Sequence, residues 1–127
     1  MLDTDTVSFA LRGQGQVAER LLEHPPSSLC ISSITLAELH YGSELKRSKK
    51  LRRLIDTFSE TVTTLPFDAD AAVHFGTVAA ALARRGTPIG SLDTLIAAHA
   101  LALAVSLVTN NAAHFRHVPG LRLESWA

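Results

Sequence analysis

The chain has 127 residues, a length that fits one domain over 1–127 with one hydrophobic core. Apolar residue types make up 46% of it, which excludes an intrinsically disordered protein. Twelve basic residues balance twelve acidic ones, so the net charge indicates no class of partner, and a single cysteine excludes an internal disulfide. Because Asp3 interrupts the first apolar residues and the longest apolar run is too short to cross a bilayer, we expect a cytoplasmic protein without a membrane segment.

Short apolar runs alternate with helical patterns along the chain. The predicted elements are, in order, a strand stub at 1–4, a strand at 28–34, helices at 36–45 and around 51–58, a strand at 62–67, helices at 69–85 and 92–103, a strand at 105–109 and an edge strand at 121–126. Asp68 and Ser91 are suited to cap the two later helices. The buried stripe predicted for the longer of them is Ala72, Phe75, Ala79 and Leu82.

This alternation predicts a parallel sheet that is covered by helices on both sides. In such sheets, ligands bind beyond the carboxyl ends of the strands. Asp3 lies at the carboxyl end of the first predicted strand, and Thr109 and Asn111 lie at the carboxyl end of the strand "VSLVT". We therefore expect these polar residues to lie at the edge of the sheet where a ligand would bind.

Each acidic residue near these edges has a purely structural interpretation. Thr35 and Glu38 have the spacing of a capping box, Asp93 is suited to the first turn of a helix, and Asp3 and Asp5 are typical of turns. Together, however, three carboxylates in one pocket would repel one another unless a cation lay between them. Oxygen ligands without cysteine or paired histidine favour Mg²⁺, with Mn²⁺ as a substitute, over zinc.

Five segments carry a resemblance to a known family: "MLDTD", "ISSITLAELHYG", "RRGTPIGSLDTLIAAHALA", "LVTNNAAHF" and "VPGLRLESW". In this order they resemble the PIN-domain ribonucleases, specifically the VapC-type toxins of toxin–antitoxin pairs. The resemblance implies a PIN-like three-layer α/β/α sandwich with a central, mostly parallel sheet. It also implies a Mg²⁺ site formed by the acids at Asp3, Glu38 and Asp93, with Asn111 as a fourth residue of the catalytic site.

The resemblance further implies metal-dependent cleavage of RNA, often structured RNA such as tRNA, a cognate antitoxin that blocks the site, and a homodimer. Two positions depart from the family pattern. Asp5 stands where relatives usually have asparagine, and Asn111 stands where many PIN domains have an acid. Asparagine keeps an oxygen ligand but loses the charge, so we expect weaker metal affinity at that corner of the site.

Two alternative functions remain open at this stage. "LDTDTV" also fits the opening motif of haloacid-dehalogenase-like phosphatases, in which Asp3 would be the nucleophile and Asp5 the acid/base. A catalytically inert PIN-like binding module is the second alternative. His114 and His117 are interpreted as a surface pair, and His99 as a hydrogen-bonded core residue.

A basic run, "KRSKKLRR", has two interpretations. It is typical of a solvated helix face, and it is also typical of a surface that contacts RNA phosphates. The candidates for such contacts are Lys46, Lys49, Lys50 and Arg53.

Overall fold

The computed structural model describes residues 1–126. Helices within that range are α1 (Thr4–Leu11), α2 (Val17–Leu22), α3 (Ser33–Leu45), α4 (Lys49–Thr61), α5 (Ala69–Arg85), α6 (Ser91–Ala102) and α7 (Ala112–Phe115), with a 3₁₀ turn at Pro26–Ser28. The strands are β1 (Cys30–Ser32), β2 (Thr63–Leu65), β3 (Leu107–Val108) and β4 (Leu123–Glu124). None of the helices within residues 1–126 combines the length and the apolar character needed to span a membrane.

The strands form two parallel pairs, β1 with β2 and β3 with β4. The first three residues of the chain join these pairs. The Leu2 amide donates to the Cys30 carbonyl at 2.9 Å, and the Val108 amide donates to the Met1 carbonyl at 2.8 Å. The order across these contacts is β2, β1, residues 1–3, β3, β4. The pairs β1–β2 and β3–β4 are parallel, as is the bridge from Leu2 to Val108. The predicted strand stub is confirmed as a single β-bridge between Leu2 and Val108 at the centre of this sheet.

Successive residues of the central strands point to opposite faces of the sheet. Met1 and Leu107 belong to one buried cluster, which also contains residues of α5, α6 and α7. Leu2 and Val108 belong to a second buried cluster, which contains residues of α1, α2, α3 and α4. Helices therefore cover both faces, and the three-layer α/β/α sandwich predicted from the sequence is confirmed.

Local capping chemistry sets the limits of α5. The Asp68 side chain accepts a hydrogen bond from the Ala71 amide at 3.0 Å, as predicted, and Gly86 ends the helix with a left-handed backbone (φ 68°) that glycine adopts without a Cβ penalty. The predicted stripe is displaced by one position at two places. Ala71 and Val78 are buried, whereas Ala72 is exposed and Ala79 is half-buried.

Two of the predicted caps are wrong. The α3 helix begins at Ser33 rather than Leu36, and the Ser32 hydroxyl, not that of Thr35, caps it by accepting from the Ile34 amide at 3.1 Å. Ser91 is the first residue of α6, and Gly90 precedes it without a side-chain cap. In the first case the strand β1 ends two residues earlier than predicted, so the helix can begin with the nearer hydroxyl.

Candidate metal centre

Acidic side chains from three separate parts of the chain line one cavity of about 180 Å³ at the carboxyl edge of the sheet. The lining residues are Asp3, Thr4, Asp5, Glu38, Asp93, Asn111 and Phe115. Glu38 is 34 positions from Thr4 in sequence, and Asp93 is farther still, so only the fold brings them together. All four residues predicted for the catalytic site, Asp3, Glu38, Asp93 and Asn111, thus lie around the same space.

Asp3 is the N-cap residue of α1 and ends the central strand segment. Its carboxylate accepts from the Thr6 amide at 2.9 Å, and only 4% of the residue is exposed. Burial raises the pKa of Asp3, while hydrogen bonds from the side chains of Thr109 and Thr6 work in the opposite direction. The nearby charge of Asp5 adds to the increase. Asp3 is therefore a buried carboxylate with a fixed orientation, and its hydrogen bonds do not fully offset the cost of burying its negative charge.

Glu38 lies within α3 and does not reach back to cap it. Its Oε1 atom accepts from the Thr4 hydroxyl at 2.7 Å, so the capping-box interpretation of Thr35 and Glu38 is wrong. Burial raises the pKa of Glu38, the Thr4 hydrogen bond lowers it, and the charges of Asp93, Asp5 and Asp3 raise it further. Glu38 is thus turned away from its own helix end and towards the other acids.

Asp93 is in the first turn of α6, where the helix dipole favours a negative charge. Its Oδ2 atom lies 3.0 Å from the Nε2 atom of His114. Burial raises the pKa of Asp93, the charge and hydrogen bond of His114 lower it, and Asp5 raises it. His114 is therefore a neighbour of the acidic cavity, and its interpretation as half of a surface pair with His117 is wrong.

Thr109 and Asn111 follow β3, as predicted, but they take different positions. Thr109 is fully buried and does not line the cavity, so the expectation that it would face a ligand is wrong. Its hydroxyl accepts from the Asn111 amide at 2.9 Å, and its side chain is hydrogen-bonded to Asp3. Thr109 therefore connects the backbone at Asn111 to the buried carboxylate behind the cavity.

Sequence reasoning missed two residues of this site, Thr4 and His114. No spacing rule connects Thr4 with Glu38, or His114 with Asp93, because both contacts join different elements of the fold. The one available signal for Thr4 was its place directly after Asp3, at the carboxyl end of the first strand.

The donor set fits a divalent cation of the Mg²⁺ type. It offers carboxylate and amide oxygens, and the pKa values of Asp3, Glu38 and Asp93 are all raised, which shows that their charges are under-compensated. Within residues 1–126, no three His, Cys, Asp or Glu side chains stand in an arrangement that alone could hold an ion. Mg²⁺ commonly binds through one or two carboxylates and keeps several waters, so a complete protein cage is not required.

Comparison with known proteins identifies the family to which this fold and site belong. Residues 1–121 match the model of the PIN domain. The chain therefore belongs to the PIN-domain family, and within it to the VapC ribonucleases, as full-length relatives show. Nucleases of this family depend on divalent metal ions.

The relatives match over nearly their whole length. The "tRNA(fMet)-specific endonuclease VapC" of Salmonella typhimurium is 39% identical over 99% of this chain and 96% of its own. "Ribonuclease VapC2" of Rickettsia felis is 36% identical with the same coverage. Among solved structures, the DNA-bound VapBC complex of Salmonella typhimurium contains a chain with a TM-score of 0.90 and 40% identity, covering 100% of this chain and 97% of that one.

This membership decides between the alternatives left open by the sequence. A haloacid-dehalogenase-like phosphatase is wrong, because the opening "LDTDTV" belongs to a PIN domain. An inert binding module is not supported either, because the relatives are named as ribonucleases and endonucleases.

Proposed function

We propose that this chain is the Mg²⁺-dependent endoribonuclease toxin of a toxin–antitoxin pair and acts in the cytoplasm on structured RNA such as tRNA. The observation that carries the proposal is the convergence of Asp3, Glu38 and Asp93 on one cavity in a chain of the VapC family.

Asp3 and Asp93 are the candidates for direct metal ligands. Both are carboxylates at the ends of structural elements, and each is held by a separate partner, the Thr6 amide for Asp3 and His114 for Asp93. When bound, Mg²⁺, or Mn²⁺ in its place, supplies charge neutralisation at the phosphoryl group and lowers the pKa of a water molecule. Holding both carboxylates in fixed orientations reduces the reorganisation that binding would otherwise require.

Glu38 and Asn111 complete the proposed catalytic site. Glu38 accepts the Thr4 hydrogen bond through Oε1, and its second carboxylate oxygen would orient a water molecule in the cavity. Asn111 offers an uncharged amide, so it contributes an oxygen ligand or a hydrogen-bond donor to a phosphate without adding to the negative charge.

The substrate and partner classes follow from the relatives. One relative is named for its specificity for tRNA(fMet), and several solved neighbours are VapBC toxin–antitoxin complexes. We infer that this chain likewise cleaves a tRNA and binds a cognate antitoxin protein. Pairing of two copies of the chain stays a prediction.

Incubation of the purified chain with total tRNA tests this function. We expect discrete cleavage that stops in EDTA, returns with Mg²⁺ and is absent in the Asp3→Ala variant, and sequencing of the RNA ends would identify the cleaved position. Cleavage that persists in EDTA, or that survives Asp3→Ala in a variant with an intact fold, would contradict the proposed metal site.

A further inference from the structure

A second cavity of about 500 Å³ adjoins the acidic one. The two share Thr4, Asp5 and Glu38 as lining residues. The larger cavity extends from there between α1, α3 and the start of α4. We call this larger cavity the groove. An extended polymer bound in the acidic cavity could therefore continue along the groove.

Three cations line the groove beyond the acids: Arg12, Lys46 and Lys50. They come from the end of α1, the end of α3 and the first turn of α4, respectively. Arg12 is ordered by its Nε atom, which donates to the Ser8 carbonyl at 3.2 Å, and by a cation–π contact with Phe9. Within residues 1–126, none of the three forms an ion pair with a carboxylate.

The remaining cations of the basic run face elsewhere. Arg47, Lys49, Arg52 and Arg53 line a separate cavity that contains none of the catalytic candidates. Arg52 is also paired with Glu44 and Asp56, each at 3.5 Å. The cations of "KRSKKLRR" thus line two different cavities, and only Lys46 and Lys50 line the groove that adjoins the acidic site.

The position of Lys50 at the start of α4 is locally unfavourable. Lys49 and Lys50 begin α4, and its first turn contains no acid, so both oppose the helix dipole. Residues that break a local rule commonly do so for function. An anion bound in the groove would offset the unfavourable interaction between the Lys50 charge and the helix dipole.

We propose that Arg12, Lys46 and Lys50 form a phosphate track, which binds the backbone of the RNA strand that leads away from the cleaved bond. This inference rests on the proposed function and names the surface that holds its substrate. The acids at one end repel an RNA backbone, so cations along the adjoining groove are needed to bring it close. An RNA backbone carries a phosphate at every nucleotide, so it matches a row of three cations beside the proposed cleavage site. An acidic segment of a protein partner is the rival occupant, and the experiment below distinguishes the two.

The test compares two matched double variants of the full chain. Lys46→Gln with Lys50→Gln removes two charges from the track, and Lys49→Gln with Arg53→Gln removes two from the other surface. Each pair also removes one cation from the first residues of α4, so changes in helix stability are comparable. Binding of tRNA is measured in EDTA at several salt concentrations, and cleavage of the same tRNA is measured with Mg²⁺.

We expect the Lys46/Lys50 variant to bind tRNA several-fold more weakly and to lose about 1.4 from the slope of log affinity against log salt, since each lost phosphate contact on a single strand contributes about 0.7. Its KM should rise while kcat stays unchanged, because the lost contacts bind ground state and transition state equally. The Lys49/Arg53 variant should keep the wild-type slope. Arg12→Gln should reproduce the loss of affinity in part.

Equal effects of the two double variants on affinity and slope would overturn the track. So would wild-type RNA binding by the Lys46/Lys50 variant together with lost binding of the cognate antitoxin, which would assign the groove to the protein partner. If the contrast in binding holds but the wild-type chain does not cleave tRNA in Mg²⁺, the track is supported and the proposed nuclease function fails.

Discussion

The Nε2 atom of His114 lies 3.0 Å from Oδ2 of Asp93 and 2.7 Å from the carbonyl oxygen of Ile89. Because the carbonyl can only accept, Nε2 carries a proton, and the imidazole donates towards both oxygens. The ring also packs edge-on against Phe115, another residue that lines the acidic cavity. His114 therefore fixes the orientation of a carboxylate that we propose binds the metal ion.

Replacing His114 should weaken the use of metal by the enzyme. Outer partners of metal ligands typically contribute about 10–100-fold to metal affinity or activity. We expect His114→Ala to raise the Mg²⁺ concentration that gives half-maximal cleavage within that range, as measured by titrating Mg²⁺ into a tRNA cleavage assay. His117→Ala, three residues away, is the control, and an identical Mg²⁺ requirement in both variants would argue against the orienting role.

The hydroxyl of Thr4 should matter to catalysis through Glu38. Thr4→Val keeps the shape of the side chain but removes the donor at 2.7 Å from Oε1, so Glu38 is free to turn away. We expect cleavage to fall about tenfold, the lower end of the range for such supporting contacts. Thr4→Ser retains the hydroxyl and should retain activity. If Thr4→Val and Thr4→Ser cleave at the same rate, the hydrogen bond does not serve the reaction.

The acidic cavity should lower the stability of the metal-free protein. The pKa values of Glu38 and Asp93 are raised by burial, so the native state binds protons more readily than the unfolded chain. Stability is therefore lost as pH rises from the ordinary carboxyl pKa through these raised values, and the penalty is largest when both carboxylates are ionised. We expect Glu38→Gln and Asp93→Asn to raise the Tm in EDTA by a few degrees while they abolish cleavage.

The same thermal measurement in Mg²⁺ supplies the control, because an ion that binds the native state raises the Tm of wild type more than that of either variant. A decrease in the Tm of both variants in EDTA would show that their carboxylates stabilise the fold instead.

His99 should make the fold sensitive to acid. It is 1% exposed, its Nδ1 atom is hydrogen-bonded to the Ser32 hydroxyl at 2.8 Å, and burial lowers its pKa despite the opposing charge of Asp68. The unfolded chain therefore binds a proton at this imidazole more readily than the native state does. Stability is highest above the ordinary histidine pKa of 6.5 and is lost as pH falls below it.

Denaturant unfolding at pH 7.5 and pH 5.5 measures this effect. We expect the free energy of unfolding of the wild-type chain to be lower at pH 5.5 than at pH 7.5. The His99→Gln variant should be less stable overall, but its free energy of unfolding should fall less between the two pH values. The same dependence on pH in both proteins would assign the acid sensitivity to other groups.

The helices whose ends are set by contacts within a single turn were predictable from the sequence. Asp68 and Gly86 limit α5 through contacts within one turn of the helix, and both the predicted Asp68 cap and the predicted bounds 69–85 are confirmed. At α3, by contrast, Ser32 and Thr35 are equally suitable caps in the sequence. The choice between them depends on where β1 ends, which is decided by pairing with β2 and by the bond between Ser32 and His99.

The candidate metal centre was likewise predictable only in part. The placement of Asp3 and Asn111 after strands followed from the sheet rule, whereas the gathering of Glu38 and Asp93 with them was implied only by family resemblance. The bonds from Thr4 to Glu38 and from His114 to Asp93 join different elements, and no periodicity encodes them. Likewise, the basic run was visible as charge, but only the fold separates Lys46 and Lys50 from Lys49 and Arg53.

Direct titration of Mn²⁺ followed by electron paramagnetic resonance tests the central claim, that the acidic cavity binds a divalent ion. We expect wild-type protein to bind Mn²⁺ in competition with Mg²⁺, and Asp3→Asn and Asp93→Asn each to lose most of that binding while remaining folded. Asp70→Asn, which removes an exposed acid in the first turn of α5, is the matched control and should bind as wild type does. Undiminished Mn²⁺ binding by both cavity variants would contradict the account.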